Sequence, residues 1–135
     1  MAGYSGTPLI KKLGITDTTG LLLLNAPADY SAMLDMDYRS LLVNEKTSPD
    51  IVHLFAADAA AFLKGMKTIL PLFGKNNKMV LWVSWYKKTA GIKTDITEDT
   101  IRDFALKQGL VDVKVCAVND IWSGLKLVVP LAKRK

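Results

Sequence analysis

The chain of 135 residues is poor in the side chains that build metal centres and crosslinks, having one cysteine, Cys116, and one histidine, His53. A lone cysteine closes no internal disulfide, and one Cys with one His cannot supply the ligand set of a structural zinc site. Neither a metal nor another cofactor is therefore expected. Long apolar runs are also missing: Leu21–Leu24 and Met79–Val83 fall far short of the roughly 20 residues that cross a bilayer, so no membrane span is expected. The opening Met1-Ala2-Gly3-Tyr4-Ser5-Gly6 lacks the basic-then-apolar order of a secretory signal, which predicts a cytoplasmic location. Repeats, low-complexity tracts and linker-like stretches are absent, so residues 1–135 read as one domain.

What is present is an apolar share of 50% and a net charge of +5. Lys133, Arg134 and Lys135 crowd three of those charges at the C-terminus. The remainder is only mildly basic and shows no cationic stripe along one element, so nucleic acid is an unlikely partner by composition.

Helical and strand patterns alternate. Thr7 and Pro8 open a short helix whose apolar face is Leu9, Ile10 and Leu13, and Gly14 stops it. Gly20 to Asn25 is a leucine-rich strand; its unbroken apolar run predicts cover on both faces and a central place in a parallel sheet. Ala28 to Leu34 predicts a helical turn or two, and Leu41-Leu42-Val43 a brief second strand. Ile51 to Ala56 is a strand, followed by a helix capped by Asp58 that runs toward Leu70, with Gly65 and Pro71 predicting a bend or break. Gly74 to Lys78 reads as a loop and Met79 to Trp85 as a buried strand. Thr97 caps the next helix, Glu98 and Asp99 suit its positive end, Ile96 staples onto Ile101, and Gly109 ends it. Val111 to Val118 and Leu125 to Val129 then predict an antiparallel hairpin around a polar connection. The expected fold is α/β: a Rossmann-like three-layer sandwich with about five or six mostly parallel strands closed by that hairpin.

This order of elements resembles the fold of S-adenosylmethionine-dependent methyltransferases, an architecture that hosts many chemistries and some proteins without catalysis. A closer resemblance lies in wording: Ser5-Gly6-Thr7-Pro8-Leu9, Leu23-Leu24-Asn25-Ala26-Pro27, Leu81-Trp82-Val83-Ser84-Trp85, Lys93-Thr94-Asp95 and Trp122-Ser123-Gly124-Leu125-Lys126. These segments look like a family of small bacterial proteins known as a domain of unknown function, and the likeness runs along nearly the whole chain. Tyr86, where that family suggests proline, and Asn76-Asn77, where it suggests a Gly-rich turn, depart from it. The resemblance implies the fold and a bacterial cytosolic setting, and brings no activity with it.

A cofactor-binding Rossmann turn needs glycines, because only a bare backbone lets the phosphate approach and the chain turn tightly. Here the turn is Asn25-Ala26-Pro27-Ala28-Asp29, without glycine and with one backbone donor removed by Pro27. Asn25 still stands where a ligand would arrive. Glu45 follows it by about 20 residues, the spacing of an acidic ribose ligand, though a solvated loop explains a single glutamate as well.

The stretch from Ser84 to Thr94 follows the C-terminal end of a buried strand, where open α/β sheets bind ligands. Ser84, Trp85, Lys87, Lys88, Lys93 and Thr94 combine hydroxyls, an aromatic ring and three cations, a set suited to a small anionic ligand near the next helix N-terminus. The competing reading is a solvated loop whose tryptophan packs on the core. It is not a Walker A loop, lacking the upstream glycine and the adjacent Gly-Lys pair. Asp120, Trp122, Ser123 and Lys126 form a possible rim or a contact surface for a protein partner, although turn chemistry alone accounts for Asp120, Ser123 and Gly124. His53 and Cys116 both fall inside strands and read as core residues, leaving no catalytic candidate.

Three functions fit these residues. The first is a small-ligand-binding or regulatory module without catalysis on a methyltransferase-like scaffold; the second is a divergent S-adenosylmethionine-dependent methyltransferase. The third is a weak nucleic-acid binder, which would show steep salt dependence.

Overall fold

A computed structural model describes residues 7–44 and 46–134. Among the described residues five strands form one sheet in the order β1-β2-β3-β5-β4, with β1 Leu21–Leu24, β2 Ile51–Phe55, β3 Val80–Tyr86, β4 Val111–Ala117 and β5 Trp122–Val128. β1, β2 and β3 are parallel; β5 runs antiparallel to both β3 and β4. The helices are α1 Leu9–Leu13, α2 Tyr30–Leu34, α3 Ala59–Ile69, α4 Leu72–Lys75 and α5 Glu98–Lys107. Among the described residues no helix is long and apolar enough to cross a membrane, and no group of His, Cys, Asp and Glu is placed to hold a metal ion.

The strands alternate their side chains between two cores. Leu9, Leu13, Tyr30 and Leu34 of α1 and α2 pack with Ile51, Phe55 and Trp82 on one face. Phe62, Met66, Ile101 and Ala105 of α3 and α5 pack with Leu54, Leu81 and Val83 on the other. The Trp82 indole N–H donates to the Leu13 carbonyl at 3.1 Å, so the end of α1 satisfies the one polar atom of a fully buried ring.

Several expectations are corrected. β1 lies at the sheet edge rather than the centre, and its last two leucines are half-buried; the leucine run reflects cover from helices above and below, not a neighbour on each side. Leu41–Val43 is no strand. Arg39–Leu41 is a 3-10 turn, and Leu42 makes one parallel bridge to Leu21 on the outer side of β1, with the Val43 N–H donating to the Leu21 carbonyl at 2.9 Å. Pro8, not Thr7, borders α1. Ala28 lies outside α2, which starts at Tyr30. Gly74 and Lys75 belong to α4, and β5 starts at Trp122 instead of Leu125, which turns Ser123 and Gly124 from connection into strand.

The single bridge at Leu42 has a topological meaning. From β1 the chain leaves through α2 on one face and touches down outside β1, whereas from β2 it leaves through α3 on the opposite face to reach β3. The order of travel thus reverses between β1 and β2, the arrangement of the switch point at which open α/β sheets bind ligands.

Asp58 caps α3 by accepting from the Ala61 N–H at 2.8 Å. Pro71 separates α3 from α4, and α3 runs unbroken through Gly65. Gly65 sits where the helix crosses β2 so closely that a Cβ would lie 2.5 Å from a Leu54 methyl, and Leu54 is fully buried with nowhere to retreat. Replacing Gly65 by alanine adds intrinsic helix propensity of up to about 1 kcal/mol but overpacks the core by about 1–3 kcal/mol. Urea unfolding of Gly65→Ala should therefore give a lower midpoint at unchanged slope.

Candidate functional site

β3 carries its side chains in strict alternation, with Leu81, Val83 and Trp85 on the α3/α5 face and Trp82 on the α1/α2 face. Beyond Tyr86 the chain keeps the ladder for one more residue, the Lys87 N–H donating to the Ile121 carbonyl at 2.8 Å. It then makes a 3-10 turn, Lys88–Ala90, closed by Gly91 at φ 68, a value only glycine adopts freely.

The return path is tied down at three places. The Thr94 hydroxyl donates to the Ala57 carbonyl at 2.8 Å, and the Asp95 carboxylate accepts from the Ala59 N–H at 2.7 Å. Ile96 is buried in the core immediately before Thr97, whose hydroxyl accepts from the Thr100 N–H to cap α5. The loop is a built structure, not a slack connection.

Between this loop, the end of β3 and the start of α5 lies a cleft of about 750 Å³. Trp85 and Ile96 give it an apolar base, Ser123 reaches in from β5, and Lys87, Lys88 and Lys93 stand along one side. Glu98 and Asp99 stand on the other. Both are drawn toward Arg102, which binds Glu98, Asp99 at 3.1 Å and Asp112 at 3.0 Å; hydrogen bonds to Glu98 and Asp112 hold the guanidinium well above its ordinary pKa. One guanidinium is thus shared by three carboxylates, which fixes Glu98 and Asp99 in place and leaves this wall with net negative charge facing the lysines.

Of the residues predicted from sequence, Trp85, Lys87, Lys88, Lys93, Thr94 and Ser123 come together in this cleft, with the Thr94 hydroxyl already engaged to Ala57. Others do not. Ser84 is fully buried on the opposite face of β3, hydrogen-bonded to His53 at 2.7 Å. Trp122 is buried too, stacked on Tyr86 at 4.4 Å and edge-on to Phe55, so it is core and not rim. Asn25 ends β1 at φ 60, a backbone setting asparagine tolerates, and its amide donates to the Phe55 carbonyl at 3.4 Å. Asp120 is exposed in the turn between β4 and β5, and Lys126 lines a different groove. Glu45 lies outside the described residues. Tyr86, Ile92, Glu98 and Asp99 also line the cleft; the last two were legible only as helix-start residues, because their arrival at the end of β3 depends on how α5 packs.

His53 is a satisfied core histidine. Its Nδ1 lies 2.7 Å from the Tyr30 hydroxyl and its Nε2 2.7 Å from the Ser84 hydroxyl, and Phe55 stacks on the ring at 4.2 Å. Burial lowers its pKa to about 3 and raises that of Tyr30 far above the usual phenol value. Ser84 and His53 resemble a nucleophile and its base in pairing alone, since both are sealed from solvent. Cys116, half-buried with its thiol pKa raised by burial, is no activated nucleophile either.

Among solved structures, an uncharacterized protein from Listeria monocytogenes serotype 4b superposes with a TM-score of 0.57 at 9% identity, over 95% of this chain and 69% of that one. A putative tRNA (m1A22) methyltransferase from Streptococcus pneumoniae superposes with a TM-score of 0.52 at 11% identity, over 98% and 73%. The fold is methyltransferase-like. The same Streptococcus pneumoniae protein solved with S-adenosyl-L-methionine gives a TM-score of 0.50 at 10% identity, over 89% of this chain and 70% of that one. No protein-family model and no curated protein matches the chain.

The methyltransferase-like scaffold raises the question of whether S-adenosylmethionine fits this chain. The turn after β1 presents Asn25 and Pro27 where a glycine-rich backbone is needed, the Asn25 amide bridges the β1 and β2 ends, and α2 has only five residues. The residues at the switch point do not fit that cofactor.

The buried histidine makes stability depend on pH. The folded-state pKa of about 3 lies below the ordinary value of 6.5, so the unfolded chain binds the extra proton between them. Stability is complete above pH 6.5 and declines as pH falls toward 3, by up to about 1.4 kcal/mol per pH unit from this one group. Chemical unfolding across that range should be steeper in pH for the parent than for His53→Gln.

Proposed function

We propose that this chain is a small-ligand-binding module without catalysis, and that the cleft at the end of β3 takes an anionic, phosphate- or carboxylate-bearing molecule. The observation that carries the proposal is the joining of Lys87, Lys88 and Lys93 with the hydroxyl of Ser123 over an apolar base in one cleft of about 750 Å³. Its size is in the range of small-molecule sites, and it opens at a strand C-terminus beside the N-terminal end of α5, whose dipole favours negative charge. Ammonium groups supply the attraction, and Trp85 and Ile96 offer apolar surface to the rest of the ligand.

A second reading, a divergent S-adenosylmethionine-dependent methyltransferase, is favoured by the likeness to solved structures, one of which was determined with S-adenosyl-L-methionine. That likeness speaks for the methyltransferase reading more than for a binding module. The geometry of the turn after β1 speaks against it, as does the absence of an accessible general base among the described residues of the cleft beyond Glu98 and Asp99, both paired with Arg102.

Calorimetric titration separates the two. A phosphate-bearing probe such as adenosine monophosphate should bind saturably, and Lys87→Ala/Lys93→Ala should weaken it by about tenfold or more, since each charge-assisted hydrogen bond contributes about 1.5–3 kcal/mol. Truncation after residue 132 should change the affinity little; equal losses from both variants would mean diffuse attraction. S-adenosylmethionine should give no saturable heat, and saturable binding at micromolar concentration would favour the methyltransferase reading instead.

A further inference from the structure

A second concave surface lies at the opposite end of β5 from the cleft. Between β3, β5 and β4, on the face that carries α1 and α2, is a groove of about 510 Å³ with Val80, Val111, Val113 and Val128 as its floor. Pro130 and Leu131, just after β5, close one side. Val113 is 56% and Leu131 78% exposed, unusual for aliphatic side chains gathered around one depression. Val113 is the extra residue of a bulge between Asp112 and Lys114, and bulges re-aim side chains at functional edges.

The rim of this groove is cationic. Lys78, Lys126 and Arg134 line it, and among the described residues no carboxylate does. Lys114 is the direct cross-strand partner of Lys126, so two ammonium groups share the same face in a pairing that is destabilising by itself. Among the described residues no carboxylate forms an ion pair with Lys78, Lys114 or Lys126.

We infer that this groove docks an acidic peptide segment with an apolar centre, its aliphatic side chains on the valine floor and its carboxylates on the lysine rim. Charge selects this occupant. A symmetric contact with a second copy would set the same cations against one another, in a chain whose net charge is already +5. A nucleic-acid strand would find phosphate contacts, but among the described residues no aromatic ring lines the groove for its bases to stack on. A carboxylate-flanked apolar peptide answers both the floor and the rim, and relieves the repulsion between Lys114 and Lys126.

The test is fluorescence polarisation with a fluorescein-labelled peptide whose Leu-Val-Leu centre is flanked on each side by three glutamates. The full chain should bind it saturably. Lys126→Glu should weaken binding by about tenfold or more, as should Leu131→Asp, which alters an exposed position and cannot unfold the sheet. Lys64→Glu, on the exposed side of α3, should leave the affinity as it was. The inference is overturned by absence of saturable binding, by equal weakening in Lys64→Glu, or by equal binding of a hexaglutamate without the apolar centre. Displacement of the peptide by a single-stranded oligonucleotide at matching concentration would also overturn it, assigning the surface to nucleic acid.

Discussion

Tyr30, His53 and Ser84 form a hydrogen-bonded chain buried between α2, β2 and β3, with both links at 2.7 Å. A polar ring in a closed core costs several kcal/mol unless both nitrogens are matched, so these contacts tie the register of β3 against β2 and the seat of α2 on the sheet. Because side chains alternate along a strand, a slip of β3 by one residue would carry Ser84 to the cleft face and Trp85 into the α1/α2 core. The composition of the cleft thus depends on a network that never touches it. The adjoining rings of Tyr38, Phe55 and Trp122 exclude water from that network and leave the histidine neutral.

The methyltransferase-like scaffold is used here in an altered way. Among the described residues between α2 and β2 the chain contributes one bridge, at Leu42, where a further strand would stand in a full doubly wound sheet. The turn after β1 is shut by side chains. The open ground lies two strands further along, at the end of β3, where the loop from Lys87 to Thr97 is pinned just beyond β2 and to the first residue of α3 by Thr94 and Asp95. Two surfaces with the same sign of charge result: a cleft at the C-terminal end of β3, and the valine-floored groove at the other end of β5. Among the described residues they share no lining residue.

The sequence by itself determined the α/β alternation, because strand and helix periods are local properties of the apolar pattern. It also determined the caps at Asp58 and Thr97, where a short side-chain oxygen meets N–H groups only a few residues away. It pointed to Trp85 and the three lysines, because they follow the end of a buried strand. Tertiary structure alone decided the rest. A run of leucines records that both faces of β1 are covered, which is equally true at an edge flanked by helices, so its position was not legible. Ser84 and Trp85 are neighbours of similar promise in sequence, and only the pairing of β3 with β2 sends one to His53 and the other to the cleft. Lys126 read as part of one rim with Ser123, yet the pleat turns the two to opposite faces of β5. Which side chains meet depends on strand register and helix packing, and these are fixed by contacts between residues far apart in the chain, which no local pattern encodes.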